Sequence, residues 1–128
     1  MKKILSTDQA PQAIGPYSQG VDTGNLLFLS GQIPICPEKG DIVATDIEGQ
    51  TKQSLENVKA VLASAGCTMD NVVKTTVFLK DIADFGKMNE VYATYFSEGN
   101  YPSRSAVQVG ALPKGALVEI EVVALKNN

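Results

Sequence analysis

The chain has 128 residues, of which 44% are hydrophobic and 20% charged, with a formal net charge of −3. This length suits one domain with a real core, since domains commonly run to about 100–150 residues. The acidic balance argues against a surface built to grip nucleic acid, and with no histidine in the chain no Ser–His or Cys–His nucleophile can be assembled.

The opening Met1-Lys2-Lys3-Ile4 lacks the apolar run of a signal peptide, and no stretch nears the ~20 apolar residues that cross a bilayer. A cytoplasmic protein without membrane association is expected. Ile4-Leu5-Ser6 reads as a short strand. Gln9 to Pro16, with two prolines and a glycine, reads as a loop. Val21–Thr23 and Leu26–Ser30 read as a hairpin about Gly24-Asn25, two residues that tolerate positive φ. Gly31 is expected to end the second strand, and Pro34 to Gly40 to be irregular. Cys36 and Cys67 stand far apart, without a CxxC, and read as reduced thiols rather than a metal site.

From Asp46 to Ala65 the period becomes helical. Ile47, Thr51, Leu55, Val58, Leu62 and Ala65 recur every three or four residues and line one face. Asp46 suits an N-cap and Gly66 a C′ stop. Glu48, Lys52, Glu56 and Lys59 fall on the opposite, solvated face. Val72–Leu79 is a strand. Asp84 is expected to cap a second helix reaching about Phe96, with Phe85, Met88, Val91, Tyr92 and Tyr95 turned inward. Ser105–Val109 and Leu117–Leu125 complete the strands. No repeat, linker or low-complexity segment interrupts residues 1–128, so one domain is expected.

Two amphipathic helices can cover one face of a single mixed sheet, giving a two-layer α/β sandwich. The other face then needs an explanation. In the last strand Val118, Ile120, Val122 and Ala124 share one side, and Leu117, Glu119, Glu121, Val123 and Leu125 the other. In Val72–Leu79, alternation places Val73, Thr75 and Val77 together. A half-apolar uncovered face predicts self-association.

Without histidine, a site must use a fixed cation, carboxylates, hydroxyls and backbone groups. Arg104, in Pro102-Ser103-Arg104-Ser105, carries a rigid fork of donors that matches a carboxylate. It fits either recognition of a small acid or an ordinary surface ion pair. Glu119 has apolar neighbours, which fits either an acid–base group with a raised pKa or a solvated strand face. Tyr17 and Ser18 follow the stiff Ile14-Gly15-Pro16 turn. Ser30-Gly31 permits close backbone approach by a ligand. These segments fit turn chemistry equally well. Asn89 has poor propensity for the helix interior, which favours a specific hydrogen bond. No Walker loop, GxGxxG or EF-hand spacing occurs, so no cofactor or metal is expected.

Taken in order, several segments resemble one family. They are Ala13-Ile14-Gly15-Pro16-Tyr17-Ser18-Gln19-Gly20, Ser30-Gly31-Gln32-Ile33-Pro34 and Gln53 to Leu62. Val73 to Leu79 and Met88-Asn89-Glu90-Val91-Tyr92 follow. Pro102 to Val109, Leu112-Pro113-Lys114 and Val118-Glu119-Ile120-Glu121 complete the set. Together they resemble the Rid family of reactive intermediate deaminases (the YjgF group), in its RidA-like branch. The resemblance implies a chorismate-mutase-like sandwich assembled as a homotrimer, with sites between subunits. It implies cofactor-independent hydrolysis of 2-imino acids, such as 2-iminopropanoate and 2-iminobutanoate, to 2-keto acids and ammonia, as metabolite detoxification. Matched by position, Arg104 takes the substrate carboxylate, with Ser30 and the Gly31 backbone lining its pocket. Tyr17 and Asn89 match pocket residues, and Glu119 the residue for water attack and proton transfer. Ala106 stands where many relatives have cysteine. A thiol role is lost there, and a role for the backbone carbonyl survives. Gln108 replaces a common glutamate. Rival readings are a keto-acid-binding or regulatory module, and an endoribonuclease or translation inhibitor.

Overall fold

A computed structural model describes residues 1–127. Its main sheet has six strands in the order β1-β2-β3-β8-β6-β7. They are β1 (Lys3–Leu5), β2 (Gly20–Asp22), β3 (Leu26–Gln32), β6 (Val72–Leu79), β7 (Ser103–Gln108) and β8 (Val118–Leu125). Every pairing is antiparallel except β6 with β7. Helices α1 (Ile47–Ser64) and α2 (Phe85–Ala93) cover one face, α2 forming the crossover between the parallel strands β6 and β7.

The core follows from the two periods. Strand alternation buries Val118, Ile120, Val122 and Ala124 of β8 with Leu27 and Leu29 of β3 and Val77 and Leu79 of β6. Leu55, Val58, Val61 and Leu62 of α1 pack on them, and Met88 and Tyr92 of α2 close one end. Fully burying such an aliphatic side chain stabilises by about 1.5–3 kcal/mol, so Leu55→Ala is among the changes that would break the layer. Asp46 caps α1, its Oδ1 accepting from Gly49 N at 2.8 Å. Gly66, at φ 73°, stops the helix while Cys67 N donates to the Leu62 carbonyl.

Local interactions shift several predicted boundaries. Pro34–Gly40 is not wholly irregular, because β4 (Ile35–Cys36) pairs with β5 (Asp41–Ile42). Asn57 of α1 fastens that hairpin by donating to the carbonyls of Ile33 and Ile35. The second helix ends at Ala93, and Asp84 makes no side-chain cap. A 3₁₀ turn at Ile82–Asp84 leads into it, capped by Asp81 Oδ1 on Ala83 N at 2.9 Å. Phe96 lies past the helix and stacks on Tyr92, ring centroids 4.8 Å apart. β7 starts at Ser103 rather than Ser105.

Two bulges alter which residues share a face. In β6, Val72 faces Ala124 while Lys74 faces Val123, so Val73 is the extra residue. Val72, not Val73, therefore joins Thr75 and Val77 on the buried side. In β3, Leu29 faces Val122 and Gln32 faces Ile120, so three steps on β3 match two on β8. The strand does not end at Gly31. It passes through a bulge at Ser30–Gly31 and continues to Gln32. Among the described residues, no helix is long and apolar enough to cross a membrane.

Candidate active site

Arg104 lies on β7, the free edge of the sheet, directly beside Thr75 of β6. Neighbours in a ladder share a face, so the arginine side chain turns to the helix side with Thr75. There it meets one stripe of α2. Phe85, Asn89 and Tyr92 stand at i, i+4 and i+7 and so project from one side of the helix. Nη1 of Arg104 donates to Asn89 Oδ1 at 2.6 Å. The guanidinium carbon sits 4.8 Å from the Tyr92 ring centroid and 5.3 Å from that of Phe85, both within cation–π range. Tyr92 in turn shares a 2.8 Å hydrogen bond with Thr75, between two buried hydroxyls. Burial raises the Tyr92 phenol above its ordinary pKa, so it stays neutral. Among the described residues no carboxylate pairs with Arg104. The guanidinium opens on a cleft of about 430 Å³ lined by Asn89, Tyr92, Ala93, Tyr101, Pro102 and Arg104.

Glu119 lies elsewhere. It follows Val118 and precedes Ile120, both on the helix side, so its carboxylate projects from the uncovered face. The bulge of β3 comes up beneath it. A Cβ at Gly31 would fall 2.8 Å from Glu119 Cδ, so the carboxylate lies where only glycine leaves room. Burial, and then the like charge of Glu121, raises the Glu119 pKa above its ordinary value. No cation pairs with it among the described residues.

The loop over this face is tied down from within. Ser30 Oγ donates to the Ser18 carbonyl at 2.7 Å, and Ser30 N to the Gln19 carbonyl. Buried Gln19 accepts from Thr7 N and donates to the Pro11 carbonyl. Tyr17, half exposed, is thereby suspended beside Gly31. Ile14, Tyr17, Ser30, Gly31, Ile33, Pro113, Glu119 and Glu121 line a cleft of about 420 Å³.

The proposed residues thus fall into two groups. Arg104 and Asn89 form one; Tyr17, Ser30, Gly31 and Glu119 form the other. Arg104 shares a ladder row with Thr75 and Val122, whereas Glu119 lies three residues along β8 and on the opposite face. At about 3.3 Å per residue and about 4.8 Å per strand, the two Cα atoms are roughly 14 Å apart with the sheet between their side chains. A single chain therefore does not bring Arg104 and Glu119 to one ligand.

Ala106 sits with the first group. Its side chain, level with Val77, packs on the core. Val109 N donates to the Leu79 carbonyl, so parallel alternation turns the N–H and C=O of Arg104, Ala106 and Gln108 off the free edge. Gln108 Oε1 accepts from Ile82 N at 2.9 Å, holding the 3₁₀ turn before α2. Helical spacing marks Phe85 and Tyr92 as core residues only, and nothing in the sequence pattern marks Thr75 or Gln19 as part of a site. The spacing of Phe85, Asn89 and Tyr92 was the available signal for the guanidinium stripe.

The sequence model of the family described as Endoribonuclease L-PSP matches residues 7–126. The chain belongs to this family, the YjgF/Rid group. It is 56% identical over 126 residues to a RutC family protein of Pyrococcus horikoshii, covering 98% of this chain and 99% of that protein. It is 48% identical over 128 residues to a protein of Escherichia coli named 2-iminobutanoate/2-iminopropanoate deaminase, with 98% and 99% covered. Among solved structures, E. coli TdcF with bound serine superposes with a TM-score of 0.92 at 49% identity, covering 98% of this Rid chain and 99% of that one. The two-layer sandwich with one large mixed sheet is the fold of this Rid group.

Proposed function

We propose that this chain hydrolyses small 2-imino acids to 2-keto acids and ammonia, in sites each shared between two copies of a homotrimer. The observation that carries this reading is the pair of incomplete clefts. One ends on a cation restrained by an asparagine and two rings; the other ends on a carboxylate that no cation among the described residues neutralises. Joining the Arg104 edge of one copy to the Glu119 face of the next brings these complementary charges to a single ligand. The uncovered face supports such an assembly. Phe28, Val73, Val107 and Leu125 lie on that side, each 44–53% exposed.

In the joined site, the free edge of the Arg104 guanidinium takes the substrate carboxylate and fixes C2. A protonated imine is already electrophilic, so a positioned water suffices as nucleophile. Glu119 accepts a proton as the water oxygen bonds to C2, giving a carbinolamine. It then returns that proton to the amino nitrogen; the C–N bond breaks as Glu119 takes the hydroxyl proton, ammonia leaves, and the keto acid remains. A carboxyl with a raised pKa suits both steps. The chemistry needs no group that this chain lacks.

The test generates 2-iminobutanoate in situ with an amino-acid oxidase and lets semicarbazide compete for it. Wild type slows the initial formation of semicarbazone, because the keto acid it releases reacts with semicarbazide more slowly than the imine, and Arg104→Ala does not. Equal initial rates with and without wild-type protein would leave a binding module as the surviving reading.

A further inference from the structure

The Arg104 corner contains a pair of buried hydroxyls that carboxylate binding, as described above, does not use. Tyr92 is 5% exposed and Thr75 fully buried. Valine and phenylalanine would fill nearly the same space without two polar groups to satisfy. Their hydrogen bond, 2.8 Å long, joins α2 to the strand position immediately beside Arg104. The Tyr92 ring is thus held at both ends: by its helix, and by the neighbour of the residue whose charge it faces at 4.8 Å. Asn89, three residues earlier on the same stripe, takes one N–H of the guanidinium. Of its five donors, this is the one engaged within the described residues.

We infer that Tyr92, anchored by Thr75, is a positioning residue that aims the Arg104 guanidinium, so that its free edge meets a carboxylate in a preset orientation. This rests on the reading of Arg104 as the carboxylate site. Charge alone would let the long arginine side chain wander, and immobilising it at binding would cost affinity. A ring fixed at its hydroxyl removes that freedom beforehand. Tyr92 stands in the wall of the Arg104 cleft, and in this scheme it acts on the carboxylate through Arg104 rather than by a bond of its own.

The experiment compares wild type, Tyr92→Phe, Thr75→Val, the Tyr92→Phe/Thr75→Val double variant and Arg104→Ala. The probe is 2-oxobutanoate, titrated by calorimetry, with thermal unfolding of each protein recorded. Removing an outer partner of a metal ligand costs about 10–100-fold in affinity; with Asn89 still in place, the loss expected for Tyr92→Phe is smaller, about three- to tenfold. Each single change leaves one buried hydroxyl without its partner and lowers the melting temperature. The double change removes both and restores it. Affinity in the double variant stays low if the pair aims the guanidinium, and returns to the wild-type value if the pair is only structural. That return would overturn the inference. A second readout needs no ligand: the side-chain N–H resonances of Arg104 are expected to exchange faster in Tyr92→Phe, and unchanged exchange would also overturn it. If Arg104→Ala binds 2-oxobutanoate as well as wild type, the carboxylate reading itself falls, whatever the Tyr92 variants do.

Discussion

The guanidinium of Arg104 is restrained by Asn89, Tyr92 and Phe85, whereas the carboxylate of Glu119 stands over a bare glycine, with no cation beside it among the described residues. In the proposed mechanism the first group stays charged and still, and the fold surrounds it with partners that cannot titrate near neutral pH. The second changes protonation in that mechanism, and the fold half-buries it next to another acid. Rigidity and a shifted pKa are therefore built in separate places, on opposite faces of one sheet. In the proposed site, this division is what a second copy would bridge.

The largest effect is expected at the rigid region. Arg104→Ala should lower turnover of 2-iminobutanoate about 10³-fold, since truncating one partner of a buried charge pair costs about 2–5 kcal/mol. Its circular dichroism should match wild type, and a loss below tenfold would mean the carboxylate is held elsewhere. Glu119→Gln is expected next, with kcat reduced about 10²-fold, the low end of acid–base contributions, and KM changed less than about threefold. Equal effects on kcat and KM would make Glu119 a packing residue.

The same variant has a stability signature. Glu119 binds its proton more tightly in the fold than in the unfolded chain, where the ordinary value is 4.5. Above the raised folded pKa, ionisation therefore destabilises the fold; below the ordinary value both states are protonated and the difference vanishes. Glu119→Gln should melt higher than wild type at pH 7 and equally at pH 4. A lower melting point at pH 7 would contradict the raised pKa.

Gly31→Ala sharpens the contrast further. The added Cβ pushes on the mobile end of Glu119, not on backbone, so the fold should hold while the carboxylate moves. A displacement of this kind should cost about tenfold in kcat with the melting temperature little changed. The smallest effect belongs to an ion pair far from either cleft, Lys126 Nζ with Asp22 Oδ2 at 2.8 Å. The hydrogen bond from Lys126, then that from Gly24 N, holds the Asp22 pKa below 3.8. The stabilisation is present above that value and is lost as pH falls through the lowered folded pKa. Lys126→Met should raise the acid-unfolding midpoint slightly and leave turnover unchanged.

The sequence made much of this legible where one period ran unbroken. The stripe of α1 between Asp46 and Gly66, and the alternation of Val118 to Ala124, placed the core faces correctly. Alternation failed in β6, where the unpaired Val73 put Val72 on the buried side. Nothing in a valine pair announces a bulge. Asn89 could be singled out by its poor helix propensity, but its partner could not. That contact forms only because the crossover lays α2 along the β7 edge. Tyr92 was hidden for a related reason: a buried aromatic at helical spacing reads as core, and it is core. That the Arg104 and Glu119 side chains leave opposite faces depends on ladder register, which spacing along the chain does not encode.

Mixing two crippled proteins offers the sharpest trial. Arg104→Ala and Glu119→Gln chains, each nearly inactive alone, are unfolded together, refolded at equal concentration and assayed for imine hydrolysis. With random association, about a quarter of the sites should pair an intact arginine from one copy with an intact glutamate from its neighbour, restoring about that share of wild-type turnover. A mixture no more active than the sum of its parts would show that the two charges do not serve one ligand across copies.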